Sequence, residues 1–336
     1  MYTEIIFLFL ITLVIYKLLF KYANKVNLID LPNERSSHST PTVRGFGIVI
    51  FISIGLTLVA FESFMLYENP FLLCAVLIVA ILGVFDDINE TPPIIKILTL
   101  IIAYIFLYIE GFLIQNLGVL LGINLELNIV FAIIFSIGSV IIFTNSFNLI
   151  DGIDGLSGSI AVIIFSSFLL IGLKSNDQFL ITIPVFFITS LLVFLIYNWH
   201  PAQVFMGDSG SLMIGFVISI LGIKGINYIE PISILYIAAI PILDTLFVIF
   251  RRVLNGVSPL KPDRLHLHHI ILSYFNDQVK KTVIYIAFIQ IFFSLLGLFI
   301  ISKVNDSFMA LIFFLLIFIG VYKLLNRIII LKKIDY

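Results

Sequence analysis

Long apolar runs follow one another along most of this 336-residue chain, and they restrict the structures it can adopt. A helix that crosses a bilayer needs about 20 mostly apolar residues, within a range of about 17–25. Hydrophobic residues make up 61% of the chain and charged residues 12%, against about 45–50% and 25% in soluble domains. The sequence therefore predicts an all-α, polytopic membrane protein. Residues 1–336 form one membrane-embedded domain in this interpretation, because no polar linker separates the runs.

Eleven apolar runs are candidate membrane-spanning helices. They are Thr3–Phe20, Gly45–Phe61, Phe71–Phe85, Ile94–Ile109, Ile129–Phe143, Ser159–Leu173, Phe179–Tyr197, Ser209–Ile223, Ile232–Phe250, Val283–Ile301 and Phe308–Leu325. Several are short, which fits tilted helices whose ends belong to polar loops. The segment Gly111–Asn128 contains glycines and Glu126, and it indicates an outer hairpin or a re-entrant segment.

The distribution of basic residues predicts the orientation of the eleven spans. With the N-terminus outside, only Lys174, Lys224 and Lys303 of the 19 Lys and Arg fall on the outer side. Loops rich in Lys and Arg stay in the cytoplasm. We therefore expect an outer N-terminus and a cytoplasmic C-terminus. The single cysteine, Cys74, excludes an intrachain disulfide, and no nucleic-acid-binding motif is present.

In this orientation five polar segments fall on the cytoplasmic side, namely residues 30–47, 85–93, 144–158, 198–211 and 251–281. The outer loops hold scattered acidic residues without a comparable density. The sequence therefore predicts an active site at the cytoplasmic surface of the membrane. A transporter would instead place its ionisable residues near the bilayer midplane, with access from both sides.

The third polar segment, TNSFNLIDGIDGLSGS, lies between two apolar runs and carries Asn148, Asp151 and Asp154. Ionised side chains at the end of a membrane helix are costly, and they usually serve a function. The spacing of the two aspartates places them on one face of a helix, and the interleaved glycines allow a ligand to approach the backbone. The alternative is that the acids only stabilise a helix N-terminus.

Three more acidic residues occupy the second and fourth segments. Asp86 and Asp87 follow an apolar run directly, although a solvated helix end would also explain such a pair. Asp208 in FMGDSGS precedes a predicted span, where a capping aspartate is common. Phe205 before it would also fit an aromatic residue at the bilayer interface. Together these carboxylates indicate a site for a hard divalent cation, Mg²⁺ or Mn²⁺, and a phosphorylated substrate.

The last polar segment contains His266, His268 and His269 close to Arg264. Three histidines raise the possibility of zinc, but no cysteine lies near them and the spacing is unusual for structural zinc. Basic residues at a membrane surface more often bind phosphates, and we favour that interpretation.

Two further residues are interpreted from position alone. His200, which precedes Pro201, is interpreted as structural. Asp244 lies in a predicted span near its inner end, where it would pair with Arg251 or Arg252 or face the site.

Six motifs in order along the chain resemble the polyprenyl-phosphate N-acetylhexosamine-1-phosphate transferase family. They are PNERSSHSTPTVRGFG, Asp86-Asp87, NSFNLIDGIDGLSG, FMGDSGS, the PxxD of Pro241–Asp244, and DRLHLHH. They extend from about residue 30 to 270, and the family's plan of eleven spans surrounds them. DRLHLHH resembles the branch that uses UDP-N-acetylglucosamine. NERSSH resembles a neighbouring branch that accepts other N-acetylated sugars, so the donor sugar stays open.

The resemblance implies transfer of a sugar 1-phosphate from a UDP-sugar to undecaprenyl phosphate with release of UMP, at the start of cell-surface polysaccharide synthesis. It implies a bacterial inner-membrane enzyme that uses Mg²⁺ or Mn²⁺. Apart from the resemblance, an exposed face of one bundle could form a homodimer. The implied catalytic residues are Asp86, Asp87, Asp208 and His266, with Asp208 and Asp87 at the metal. The implied substrate-binding residues are Arg44, Asn148, Asp151, Asp154, Phe205, Arg264, His268 and His269, with Phe205 stacked on uracil. The alternatives are the phospho-MurNAc-pentapeptide transferase of the same family and a membrane transporter or flippase.

Overall fold

A computed structural model describes residues 1–30, 41–258, 265–303 and 307–332. The helices are α1 (Tyr2–Tyr22), a 3-10 helix (Ala23–Val26), α2 (Phe46–Phe61), α3 (Ser63–Glu68), α4 (Pro70–Ile88), α5 (Pro93–Ile109), α6 (Ile129–Leu149), α7 (Leu156–Ser175), α8 (Gln178–Asn198), α9 (Asp208–Gly225), α10 (Pro231–Ile237), α11 (Ala239–Leu254), α12 (Leu267–Tyr274), α13 (Val279–Lys303) and α14 (Ser307–Lys332). The predicted helical architecture is confirmed.

Two small antiparallel strand pairs accompany the helices. β1 (Ile29–Asp30) pairs with β2 (Thr42–Val43) just before α2. β3 (Asn116–Leu120) pairs with β4 (Ile123–Glu126) between α5 and α6. The segment 111–128 is therefore a hairpin, which was one of its two interpretations.

Eight helices in the described chain are long and apolar enough to cross a membrane: α1, α4, α6, α7, α8, α9, α13 and α14. The apolar helices α2 and α5 are shorter, and α10 with α11 passes the same test as a bent pair. Each of the eleven predicted runs thus falls on a helix or on this pair. The multi-pass architecture follows, whereas the count of eleven spans and their orientation stay predictions.

The run predicted as one span over Ile232–Phe250 is broken. α10 and α11 meet at an angle of 86°. Pro241 has no N–H to donate to the carbonyl of Ile237, one helical turn earlier. Gln290 of α13 replaces the missing bond: its Nε2 donates to Ile237 O at 2.8 Å, and its Oε1 accepts from Ile240 N at 3.0 Å. The break is therefore satisfied inside the bundle, as apolar surroundings require.

Helix α9 is the centre of the bundle. It packs against α2, α4, α6 and α7, and 89% of its 18 residues are buried. The ends of α4 and α6 and the starts of α2, α7 and α9 lie at one end of the bundle. The polar segments between these helices are thereby gathered around the first residues of α9.

Candidate active site

The structure describes every predicted site residue except Arg264, which lies outside the described residues, as do residues 31–40 of the first polar segment. Asp86 and Asp87 are in the last turn of α4, Asn148 is near the end of α6, and Asp208 is the first residue of α9. The others occupy connections or the start of α12: Arg44, Asp151, Asp154, Phe205, His266, His268 and His269.

The connection between α8 and α9, residues 199–207, joins the other polar segments. Phe205 N donates to Val43 O at 2.8 Å, and Phe205 O accepts from Phe46 N at 3.2 Å. Gly47 N donates to Met206 O at 3.1 Å. These main-chain bonds attach the connection to the segment that leads into α2, and they fix the backbone of Phe205.

The carboxylate of Asp87 caps the N-terminus of α9. Its Oδ1 accepts from Asp208 N at 2.7 Å and its Oδ2 accepts from Ser209 N at 3.1 Å. The side chain is fully buried, and Arg44 interacts with it electrostatically. The first N–H groups of a helix have no intrahelical partner, so the carboxylate satisfies two of them. Both oxygens of this predicted metal ligand are engaged by backbone.

Two glycines let α2 and α4 reach the start of α9. A Cβ on Gly47 would lie 2.0 Å from Gly210 N, and a Cβ on Gly83 would lie 2.4 Å from Ser209 Cα. Any side chain at either position would push the helices apart. The close contact brings Asp87 within hydrogen-bond distance of the α9 backbone.

Asn148 holds the carboxylate of Asp208 from the opposite side. Its Nδ2 donates to Asp208 Oδ1 and, at 2.8 Å, to Ser211 Oγ. Ser211 Oγ in turn donates to Gly207 O at 3.1 Å. The sequence predicted both Asn148 and Asp208, whereas Ser211 was missed. Ser211 lies in the first turn of α9, close after Asp208, and its only signal was its place at the end of GDSGS.

Asp151 lies in the connection between α6 and α7, where Ser157 Oγ donates to its Oδ1 at 2.5 Å. Burial raises the pKa of Asp151 to about 7, although the bond from Ser157 opposes the shift. The nearby charges of Asp208, Asp87 and Asp154 raise this pKa further. The carboxylates therefore interact as one negatively charged cluster, which a cation would stabilise.

Asp86 is paired with Lys96, a residue not predicted for the site. Lys96 Nζ contacts Asp86 Oδ2, and Thr91 donates to Oδ1 through its backbone N at 2.7 Å and through its hydroxyl. A short connection joins α4 to α5, so the end of one helix and the start of the next lie together. The short connection between the two helices is the sequence feature that could have placed Lys96 near Asp86.

Asp154 contacts the α8–α9 connection. Its Oδ2 is 2.7 Å from His200 Nδ1 and accepts from Ala202 N at 3.1 Å. Next to it, Gly155 N donates to Asn198 Oδ1 at 2.8 Å. The structural interpretation of His200 agrees with this contact, but its partner is a predicted site residue. The sequence offered no signal for the pairing.

Asp244, for which the sequence allowed three roles, pairs with a histidine. Its Oδ2 is 2.8 Å from His266 Nδ1, and its Oδ1 accepts from Leu267 N. Both side chains are buried. An N–H at Nδ1 directed at the carboxylate leaves Nε2 of His266 as the acceptor in the neutral ring. Asp244 thus anchors the start of α12, which carries the predicted histidines.

His268 lies against the α6–α7 connection. A Cβ on Gly152 would lie 2.2 Å from His268 Nε2, and neither ring nitrogen has a hydrogen-bond partner among the described residues. Its ring centroid is 4.3 Å from that of His269. Burial lowers the pKa of His268 well below 6.5, and His269 and His266 lower it further. The ring is neutral, and within the described chain its hydrogen-bonding capacity is unused.

The donor set suits a hard divalent cation. Within the described ranges, no three His, Cys, Asp or Glu side chains form a ready metal-binding group. Mg²⁺ needs only one or two carboxylates, because substrate phosphates and water complete its shell. Asp208 meets this requirement in a cluster of mutually repelling carboxylates.

A polar cavity of about 790 Å³ opens at the other end of α9. Its lining includes Glu62, Glu68, Glu110, Asp177 and Lys224. The connections at this end of the bundle therefore gather acidic residues that appeared scattered in the sequence. None of the predicted site residues that the structure describes lines this cavity, so it is separate from the carboxylate cluster.

Comparisons with known proteins agree with this site. A family model described as glycosyl transferase family 4 matches residues 69–226, from the start of α4 to just past α9. The chain is 30% identical over 319 residues to the probable undecaprenyl-phosphate N-acetylglucosaminyl 1-phosphate transferase of Bacillus subtilis (strain 168), covering 93% of this chain and 88% of that protein. It is 30% identical over 279 residues to the undecaprenyl-phosphate alpha-N-acetylglucosaminyl 1-phosphate transferase of Escherichia coli (strain K12), covering 80% and 76%.

The Yersinia pestis protein of the same name is 28% identical over 280 residues, which covers 81% of this chain and 77% of that protein. The similarity extends over most of the chain, beyond the span of the family model. It includes the ends of α4 and α6 and the start of α9, which carry the carboxylate cluster. The chain therefore belongs to glycosyl transferase family 4, among the polyprenyl-phosphate N-acetylhexosamine-1-phosphate transferases.

Proposed function

We propose that this protein transfers N-acetylglucosamine 1-phosphate, or a related N-acetylhexosamine 1-phosphate, from a UDP-sugar to undecaprenyl phosphate. The products are undecaprenyl-diphosphate-sugar and UMP. The observation that carries the proposal is the cluster of Asp86, Asp87, Asp151, Asp154 and Asp208 around the start of α9, in a chain whose relatives are named for this reaction.

The proposed reaction is a direct phosphoryl transfer. An oxygen of the acceptor phosphate attacks the phosphorus of the phosphate group that carries the sugar. The bond from this phosphorus to the bridging oxygen breaks, and the oxygen leaves with UMP. The second pKa of a phosphate monoester is about 6, so the acceptor is largely dianionic at neutral pH and needs little deprotonation. Asp86, already paired with Lys96, is not required as a strong base. A sugar-phosphoryl enzyme trapped without acceptor lipid would contradict direct attack.

The main difficulty of the reaction is bringing two anions together. A divalent cation would supply positive charge that draws the donor diphosphate to the carboxylates and polarises it. We propose Asp208 as its principal ligand. Asp87 was predicted as a second ligand, but its two oxygens already accept N–H groups of α9. Asn148, in contact with Asp208, is the better candidate, because rotating its amide by 180° would present an oxygen.

The other roles follow the geometry of the segments. Asp151 and His268 lie beside Gly152, where we propose that the donor binds. Phe205 would stack on uracil. Arg44 and Arg264 would balance the charge of the diphosphate, and His266 and His269 would contact the diphosphate or the sugar. We propose that this end of the bundle faces the cytoplasm of a bacterium, with eleven spans in the inner membrane and an outer N-terminus.

The reaction can be tested with purified protein, undecaprenyl phosphate and Mg²⁺. UMP release is measured for a panel of donors that includes UDP-N-acetylglucosamine, other UDP-N-acetylhexosamines and UDP-MurNAc-pentapeptide. We expect release from one or more sugar donors and none from the pentapeptide donor. Release from the pentapeptide donor alone would assign the protein to the peptidoglycan branch. No release from any donor would contradict the proposed function.

A further inference from the structure

We infer that Asp154 and His200 form a clamp that sets the spacing between the two halves of the donor site, so that His200 is a positioning residue. The inference rests on the proposed function and deepens it. Asp154 was predicted to line the nucleotide site. In the structure its Oδ2 is engaged by His200 Nδ1 at 2.7 Å and by Ala202 N at 3.1 Å, and neither contact uses its Oδ1.

The two halves joined by this contact come from different parts of the chain. One half is the α6–α7 connection, which carries Asp151 and Gly152, and the other is the α8–α9 connection, which carries Phe205. Asp154 and His200 are 46 residues apart in sequence. A nucleotide held between Asp151 and Phe205 needs these connections at a fixed separation, and the Asp154–His200 contact joins them directly.

A second pair of bonds supports the same junction. Buried Asn198 accepts from Gly155 N through its Oδ1 and donates to Val204 O through its Nδ2, both at 2.8 Å. Val204 precedes Phe205, whose own backbone is bonded to Val43 and Phe46. The position of Phe205 is therefore fixed from both connections. The Asp154–His200 contact is the solvent-facing part of this junction, with His200 42% exposed and Asp154 15% exposed.

Partial exposure separates the effect on substrate binding from the effect on stability. Polar contacts that water can reach contribute little to stability, and loss of the clamp should therefore leave the bundle folded while the two connections move apart. We expect a higher KM for the donor with nearly the same kcat, since Asp208 and Asn148 are held by other contacts.

The kinetic test compares His200→Ala, Asp154→Ala and the double variant with UDP-N-acetylglucosamine as donor. Each single change should raise the donor KM about three- to tenfold and leave kcat within about twofold. The double variant should be no worse than either single one, because both remove the same contact. If the two side chains acted independently, His200→Ala would have no effect or the two effects would multiply in the double variant, and either result would contradict the clamp.

Two substitutions of His200 make the test specific for one ring atom. The amide of Asn superimposes on Nδ1 of His, and the amide of Gln reaches the position of Nε2. Because the contact uses Nδ1, His200→Asn should restore the wild-type KM and His200→Gln should not. Gln203→Ala is the matched control, since Gln203 is an exposed residue of the same connection. Equal KM values for His200→Asn and His200→Ala would contradict the clamp.

A spectroscopic measurement tests the clamp without substrate. Trp199, the single tryptophan, lies against Gly155, where a Cβ would be 3.1 Å from Trp199 Cε3. We expect its emission to shift to longer wavelength in His200→Ala and Asp154→Ala and to return in His200→Asn. Unchanged emission and unchanged KM would overturn the inference. If the wild type releases no UMP, the proposed function fails while the emission comparison still tests the clamp.

Discussion

At the scale of single residues, five aspartates of one cluster have five different environments. Asp87 bonds to backbone, Asp86 to a lysine, Asp208 to an amide, Asp151 to a serine hydroxyl and Asp154 to a histidine. A carboxylate whose oxygens already accept hydrogen bonds has fewer lone pairs left for a metal or a substrate. The neighbours therefore divide the cluster into residues that position and residues that are free to bind.

Asp208 is the residue on which turnover should depend most. Asp208→Asn removes the charge of the proposed metal ligand while it keeps the size of the side chain, so we expect nearly complete loss of UMP release. Titration with Mn²⁺ under electron paramagnetic resonance should show weaker binding in parallel. Turnover close to that of the wild type with an unchanged Mg²⁺ dependence would contradict the metal assignment.

Asp87 should act through the structure of α9. Asp87→Ala leaves the buried N–H groups of Asp208 and Ser209 without the carboxylate that accepts from them, at about 1–3 kcal/mol each. We expect faster amide hydrogen exchange over the first turn of α9, together with loss of activity.

The matched control for Asp87 is Asp177→Ala. Asp177 caps α8, where its Oδ1 accepts from Leu180 N at 3.0 Å, and it lies at the other end of the bundle. This control should speed exchange at the start of α8 and leave catalysis near the wild-type level. Unchanged exchange at the start of α9 in Asp87→Ala would show that Asp87 does not hold this helix.

The raised pKa of Asp151 predicts a pH dependence of stability. The folded protein holds this proton up to about pH 7, whereas the ordinary value is 3.8. Ionisation of Asp151 is therefore less favourable in the folded protein than in the unfolded chain. The free energy of unfolding consequently falls as the pH rises from about 4 to about 7. The difference in melting temperature between Asp151→Asn and the wild type should increase in favour of the variant as the pH rises through this range. At higher pH the difference should stay constant. A difference in melting temperature that does not change with pH would contradict the raised pKa of Asp151.

At the scale of elements, the site depends on how closely three helices approach. Helical periodicity is weak in α2 and α9, because apolar side chains surround them in a membrane bundle. The sequence therefore did not indicate which face of α2 meets α9. Gly47 and Gly83 mark those faces in the structure, and in the sequence they stand only as glycines within or beside apolar runs.

Two alanine substitutions in α2 test this contact. Gly47→Ala would place a methyl group 2.0 Å from Gly210 N. The helices would have to separate, and displacement of catalytic groups by about 1 Å can cost about a hundredfold in rate. We expect a large loss of UMP release and a lower melting temperature.

Gly55→Ala is the control in the same helix, since no heavy atom lies within 4 Å of a Cβ at that position among the described residues. It should leave activity and melting temperature near the wild-type values. Equal behaviour of the two variants would show that the approach of α2 to α9 is not needed.

At the scale of the whole molecule, hydropathy predicted the helices well. All eleven apolar runs fall on helices or on the bent pair of α10 and α11. It did not predict the 86° bend, because the bend is stabilised by Gln290, 50 residues after Ile240 along the chain. Most of the carboxylate cluster was predicted from its residue types. Lys96, Ser211 and His200 were not, since their roles come from contacts with other segments.

The proposed orientation can be tested with cysteine labelling in cells. In a Cys74→Ser background, Asn124→Cys reports the β3–β4 hairpin and Asn255→Cys reports the end of α11; both positions are exposed. A membrane-impermeant maleimide should label Asn124→Cys in intact cells and Asn255→Cys only after the membrane is opened. The reverse pattern would invert the topology, and labelling of both from outside would contradict the number of spans.

The amino-acid sequence by itself determined that the chain is a helical membrane protein with its acidic motifs concentrated in a few loops. Hydropathy and residue type are local properties, and the cost of exposing polar groups to lipid makes them decisive. Only the tertiary structure decided which atom each carboxylate meets. Asp87 and Asp208 are 121 residues apart in sequence, and Asp154 and His200 are 46 apart. Such contacts depend on how closely the helices pack, and that distance is set by side chains far from the residues that use it.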